Sequence, residues 1–124
     1  MGTFKVRIEV GDPQATRFER LEALVDTGAT NTVIPRKTLR DLGILPGSKR
    51  RYTIADGSKV ELDIGRAWVR VDGQQEFTQV AFGDDRAAAV LGAVTLEEMG
   101  LSVDPVARRL VPVDGYLMCR LVRR

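Results

Sequence analysis

The sequence predicts an all-β chain with one or two short helices, and three observations carry that prediction. Apolar residues recur mostly with period two, as where Phe4, Val6, Ile8 and Val10 alternate with Lys5, Arg7 and Glu9, the pattern of a strand with one face on a core. Asp-Gly turn signals, at Asp56-Gly57 and Asp72-Gly73, separate such runs as hairpins require. A length of 124 residues supplies one core and not two, so residues 1–124 are expected to form a single domain. No internal repeat, linker or low-complexity segment interrupts it.

Taken in order, the first strand is broken by Gly11-Asp12-Pro13, and residues 17–25 form the next. Thr32-Val33-Ile34-Pro35 is a short β-type run, and Arg36 to Leu42 is a helical turn that follows Pro35 and stops at Gly43. From Arg51 to Phe82 the pattern is hairpins. Tyr52-Thr-Ile54 leads to a turn at Ala55-Asp56-Gly57-Ser58, a long strand runs to Val71, and Asp72-Gly73 returns the chain to Phe82. Ala89-Val90-Leu91-Gly92 reads as a buried strand ending at glycine, followed by a short helix from Ala93 that Gly100 closes. Beyond Leu101-Ser-Val103 the chain continues through Asp104-Pro105 and Arg108-Arg-Leu-Val-Pro-Val113. A last apolar run, Tyr116-Leu-Met-Cys-Arg-Leu-Val122, is expected to be a strand with Cys119 buried in it, since a free cysteine behaves as a small hydrophobe.

Residues 24–29, Leu-Val-Asp-Thr-Gly-Ala, hold the most informative motif. Alone, Asp26-Thr27-Gly28 reads more readily as an ordinary β-turn, because these residue types favour turns. Its context is two flanking apolar β-type runs and the downstream Leu91-Gly92 strand end with its helix.

With these two elements in this order, the chain from about residue 4 to residue 113 resembles the single-domain, retroviral-type aspartic proteases, the retropepsins. The resemblance implies a closed all-β acid-protease barrel with one or two short helices, assembled as a two-fold homodimer. It implies an aspartic endopeptidase in which Asp26 is catalytic, with Thr27 and Gly28 as support. Thr27 would brace the two loops across the axis or simply cap its own turn, and Gly28 would allow main-chain contact with the peptide. Ala29, Thr30 and the hairpin residues Ala55, Asp56 and Gly57 would meet the substrate. The hairpin would be a flap over the cleft, although Asp-Gly marks a plain surface turn equally well. No metal or organic cofactor is implied.

The dimer follows from the chemistry as well. An aspartic protease uses two carboxylates sharing one proton, and a chain with one such triplet has to borrow the second from an identical partner.

Some positions depart from the viral pattern. Thr30 and Ala93 stand where viral enzymes commonly carry an acidic residue and its arginine partner, and the 55–58 turn is not glycine-rich. Continuation past Val103 makes cellular and bacterial retropepsin-like proteins the nearer resemblance, with the tail as a candidate for the intersubunit sheet.

Composition excludes most competitors. The chain has no histidine, which removes Ser-His and Cys-His nucleophile systems, and its single cysteine permits neither an intrachain disulfide nor a cysteine-rich metal site. Nineteen basic against seventeen acidic residues leave a net charge of +2. Lys49-Arg50-Arg51, Arg108-Arg109 and Arg123-Arg124 read as solvated strand ends, so nucleic acid is not an expected partner. No 18-residue apolar stretch and no signal-peptide core occur in the sequence; membrane association is not expected, and a cytoplasmic location is. Two functions fit: a homodimeric peptidase acting on extended peptide, or a protease-like domain that binds peptide or a partner protein with little turnover.

Overall fold

β1 (Phe4–Gly11) and β2 (Phe18–Val25) pair antiparallel along their whole length, from Phe4 opposite Val25 to Gly11 opposite Phe18. The alternation expected of β1 is present, with Phe4, Ile8 and Val10 buried and Val6 packed against the core from a half-buried position. Across the sheet, Ala23 and Val25 of β2 are buried on the same side. This computed structural model describes residues 3–120.

The remaining elements are β3 (Thr32–Pro35), α1 (Arg36–Asp41), β4 (Ser48–Thr53), β5 (Lys59–Val71), β6 (Gln74–Gly83), β7 (Ala89–Leu91), α2 (Ala93–Glu98), β8 (Leu101–Asp104) and β9 (Arg109–Pro112). The main sheet runs β1-β2-β7-β3-β6-β5-β4, and β1 also pairs with β5. That last pairing closes six strands into a barrel and leaves β4 outside it as the partner of the first half of β5. Closure gives each of the six barrel strands two neighbours, while β4 keeps a free edge.

The β5–β6 hairpin turns at Asp72-Gly73, where both residues have positive φ, 51° and 77°, as a two-residue turn matched to strand twist needs. Val69, Ala67, Val80 and Phe82 from this hairpin meet Ile34 of β3 and Leu39 of α1 in the core, each 2% exposed or less. Both helices have six residues, and each ends next to a glycine, Gly43 and Gly100, as the sequence suggested.

The C-terminal part corrects one reading. β8 and β9 form a separate two-stranded sheet, with Leu101 and Leu110 joining the core. After Pro112 no strand follows among the described residues, and Tyr116, Leu117 and Met118 are exposed at 88%, 72% and 95%. Cys119 is likewise exposed rather than buried in a strand. A continuous apolar run becomes a strand only where a partner offers a ladder, and among the described residues no strand of this chain pairs with it. Leu121, Val122, Arg123 and Arg124, parts of the expected last strand and basic end, lie outside the described residues. The Lys49-Arg50-Arg51 run is also placed differently: it forms the middle of β4, not a strand end.

Candidate active site

Asp26 stands immediately after β2, and its backbone is tied to β7. The two strands run parallel, with Val25 opposite Leu91, and the Asp26 N–H donates to the Leu91 carbonyl at 3.1 Å. Parallel pairing brings the C-terminal ends of both strands to one place, so the Asp26 loop and the start of α2 lie side by side. Ala93 N–H donates to Ala29 O at 2.8 Å and Val94 N–H to Thr30 O at 3.0 Å. The first N–H groups of a helix have no partner within it, and here the loop supplies their acceptors.

The glycine between β7 and α2 makes that contact possible. A Cβ on Gly92 would stand 2.5 Å from the carbonyl carbon and oxygen of Asn31, so a side chain there would collide with backbone. Gly92 N–H instead donates to Thr32 Oγ1 at 3.0 Å, which opens a buried series of hydroxyls. Thr32 donates to Thr95 at 2.7 Å, Thr95 and Thr78 are 3.1 Å apart, and Thr78 donates to Glu98 Oε1 at 2.6 Å. Each hydroxyl has one proton, and that of Thr78 is given to the carboxylate, so Thr95 donates to Thr78. The direction runs from the Asp26 loop, through the core, to Glu98.

Asp26 is half-buried. Its Oδ1 accepts the Gly28 N–H at 2.9 Å, a local turn that fixes the carboxylate at the strand end. Among the described residues Oδ2 has no hydrogen-bond partner, which leaves it free for a solvent or substrate proton. Thr27, Gly28 and Thr30 are exposed and Ala29 is half-buried.

A cleft of about 410 Å³ runs from Gly28, Ala29, Thr30 and Asn31 to the β4–β5 hairpin, where Arg50, Tyr52 and Ile54 form its other wall. Asp26 and Thr27 adjoin it without lining it. Ala55, Asp56 and Gly57 are exposed at the hairpin tip, beyond the lining. There Asp56 Oδ1 accepts from Ser58 Oγ at 2.6 Å and Ser58 N–H at 2.8 Å, and these bonds, the hydroxyl's first, hold its carboxyl below the usual range. A larger concavity, about 610 Å³, lies elsewhere beside Arg7, Glu9, Arg20 and Arg70, and Glu9 pairs with both Arg20 and Arg70 at 3.6 and 3.7 Å.

The structure adds three residues that the sequence did not single out. Asn31 is 2% exposed, and its Oδ1 accepts from Tyr52 Oη at 2.7 Å and Arg50 Nη1 at 3.2 Å. Burial pushes the Tyr52 hydroxyl above its ordinary pKa, while Arg50 partly opposes that shift. Arg50 and Tyr52 are two apart on β4 and so share a face, which is the only trace of this contact in the sequence. Among the described residues no group of three or more His, Cys, Asp or Glu side chains is placed to hold a metal ion, and no helix is long and apolar enough to cross a membrane.

A family model described as aspartyl protease matches residues 6–93. Among solved structures, the solution structure of simian foamy virus (mac) protease aligns with a TM-score of 0.54 at 19% identity, covering 76% of this chain and 92% of that one. EIAV protease, solved with the inhibitor HBY-793, aligns with a TM-score of 0.55 at 23% identity, covering 80% of this chain and 89% of that one. These likenesses establish the barrel as retropepsin-like. No curated protein matches the chain.

Proposed function

Since this chain belongs to the aspartyl protease family, we propose that it is an aspartic endopeptidase whose site is assembled from two copies, each giving one Asp26. The observation that carries this reading is the Asp26-Thr27-Gly28 loop, anchored through its backbone to Leu91 and α2 while the Asp26 carboxylate keeps one oxygen unengaged. A loop pinned on both sides can present a carboxylate in a fixed position, which proton transfer requires.

In the proposed mechanism two Asp26 carboxyls face each other across a two-fold axis. Like charges this close cannot both ionise, so the pair holds one proton. The ionised member takes a proton from water as that water attacks the peptide carbonyl and the protonated member donates to the carbonyl oxygen; the resulting gem-diol then collapses, the C–N bond breaking as the dyad passes the proton taken from water to the leaving nitrogen and recovers one from the diol. Thr27 braces the loops and Gly28 lets the peptide backbone approach. The β4–β5 hairpin covers the cleft, with Ala29 and Thr30 below and Ala55, Asp56 and Gly57 reaching the substrate on closure; lids of this kind exclude water. No metal or cofactor takes part.

The test is digestion of a peptide library by wild type and Asp26→Asn, with products identified by mass spectrometry. Cleavage by wild type alone, strongest at acidic pH and blocked by statine-type transition-state mimics, supports the peptidase. Peptide binding by wild type without any product would leave the binding-domain reading.

A further inference from the structure

We propose that Arg50 makes this cleft selective for an acidic side chain at one fixed position of the bound peptide. The inference rests on the cleft being the peptide site proposed above. It starts from the way Arg50 is held. Its guanidinium reaches Asn31 Oδ1 at 3.2 Å and lies over the Tyr52 ring, 5.6 Å from the centroid. Those two contacts orient a side chain that would otherwise sample many rotamers.

The charged side chains of this wall, Arg50 and Arg51, are donors only. Arg50 has five N–H groups and uses one on Asn31, and among the described residues it has no carboxylate partner. Of its two neighbours on β4, Lys49 pairs with Asp63 at 3.7 Å, while Arg51, like Arg50, has no carboxylate partner among the described residues. The acceptor of Asn31 is occupied by Tyr52 and Arg50, while its Nδ2 is buried without a partner. Reversing the amide would point NH₂ at a guanidinium, so the orientation is fixed by charge. No Asp or Glu lines the cleft, and Arg51 adds a second positive charge to the same wall.

A pocket with positive charge, free donors and no carboxylate in its lining discriminates by charge. Glutamate and glutamine have nearly the same shape, but only the carboxylate accepts a charge-assisted hydrogen bond from Arg50, and such bonds are about twice as strong as neutral ones. Because Arg50 is exposed, salt screens part of the effect.

The experiment compares peptides that differ only as Glu or Gln at each position in turn. Wild type is expected to show a kcat/KM about tenfold higher for Glu at a single position, an advantage that shrinks as salt is raised. Arg50→Gln should bring that ratio close to one, and Arg50→Glu should invert it in favour of Gln. In parallel, fluorescence anisotropy with Asp26→Asn, alone and combined with Arg50→Gln, reads binding of the same peptides without turnover. An Arg50-dependent preference for Glu in binding, with no cleavage by wild type, would uphold this inference while defeating the peptidase reading. Equal handling of Glu and Gln at every position, or a preference for Glu that survives Arg50→Gln, overturns it.

Discussion

Gly92 lies against the backbone of Asn31 so closely that a Cβ on Gly92 would come within 2.5 Å of the Asn31 carbonyl. The end of β7 and the loop that carries Asp26 are thereby fitted to each other at a distance that only glycine permits.

Gly92→Ala is therefore expected to push the two loops apart. Overpacking of this kind costs about 1–3 kcal/mol, and more where the obstacle is backbone. Urea denaturation should show lower stability, and peptide cleavage should fall further than stability does, because Asp26 moves with the loop. A variant as stable and active as wild type would show that the junction relaxes freely.

Thr95→Val keeps the shape of the side chain but breaks the hydroxyl series, leaving Thr32 without its acceptor and Thr78 without one donor. Leaving a buried polar group unpaired costs about 1–3 kcal/mol. The loss should appear in chemical denaturation. Glu98→Gln, which retains an acceptor at the exposed end of the series, should cost less, and the reverse order would contradict the proton direction assigned above.

Mixing wild type with Asp26→Asn under subunit exchange tests the shared site. Random pairing at equal amounts leaves about one quarter of dimers fully wild type, and activity should fall toward that fraction. A loss strictly linear in mutant fraction, once exchange has been demonstrated, would show that one chain holds a complete site.

Acid should weaken the β1–β2 turn through Asp12. That carboxylate accepts from Thr16 Oγ1 at 2.6 Å and from the N–H groups of Thr16 and Arg17, each at 2.8 Å, and the Thr16 hydroxyl leads in holding its pKa below the ordinary 3.8. A depressed carboxyl pKa favours the folded state fully above the unfolded value, and that contribution disappears as pH falls through the folded value. The stability difference between wild type and Asp12→Asn, measured in urea, should thus be constant near neutrality and narrow below about pH 4. A difference independent of pH down to the acid limb would remove Asp12 from the explanation.

The sequence by itself determined what is local. Alternation marked β1, Asp72-Gly73 marked the β5–β6 turn, Gly43 and Gly100 marked the ends of both helices, and Asp26-Thr27-Gly28 marked the loop of interest. Each depends on residues a few positions apart, where backbone preference and side-chain period act directly. Tertiary structure alone decided who meets whom. Period two tells which face of a strand is buried but not which strand lies beside it, so the parallel pairing of β2 with β7 and the fit of Gly92 to Asn31 had no local signature. The same limit hid Asn31 with Arg50 and Tyr52, and the Thr32, Thr95 and Thr78 hydroxyls, each unremarkable in its own segment. It also misplaced Cys119, because an apolar run is buried only where another element covers it, and no described strand pairs with this one.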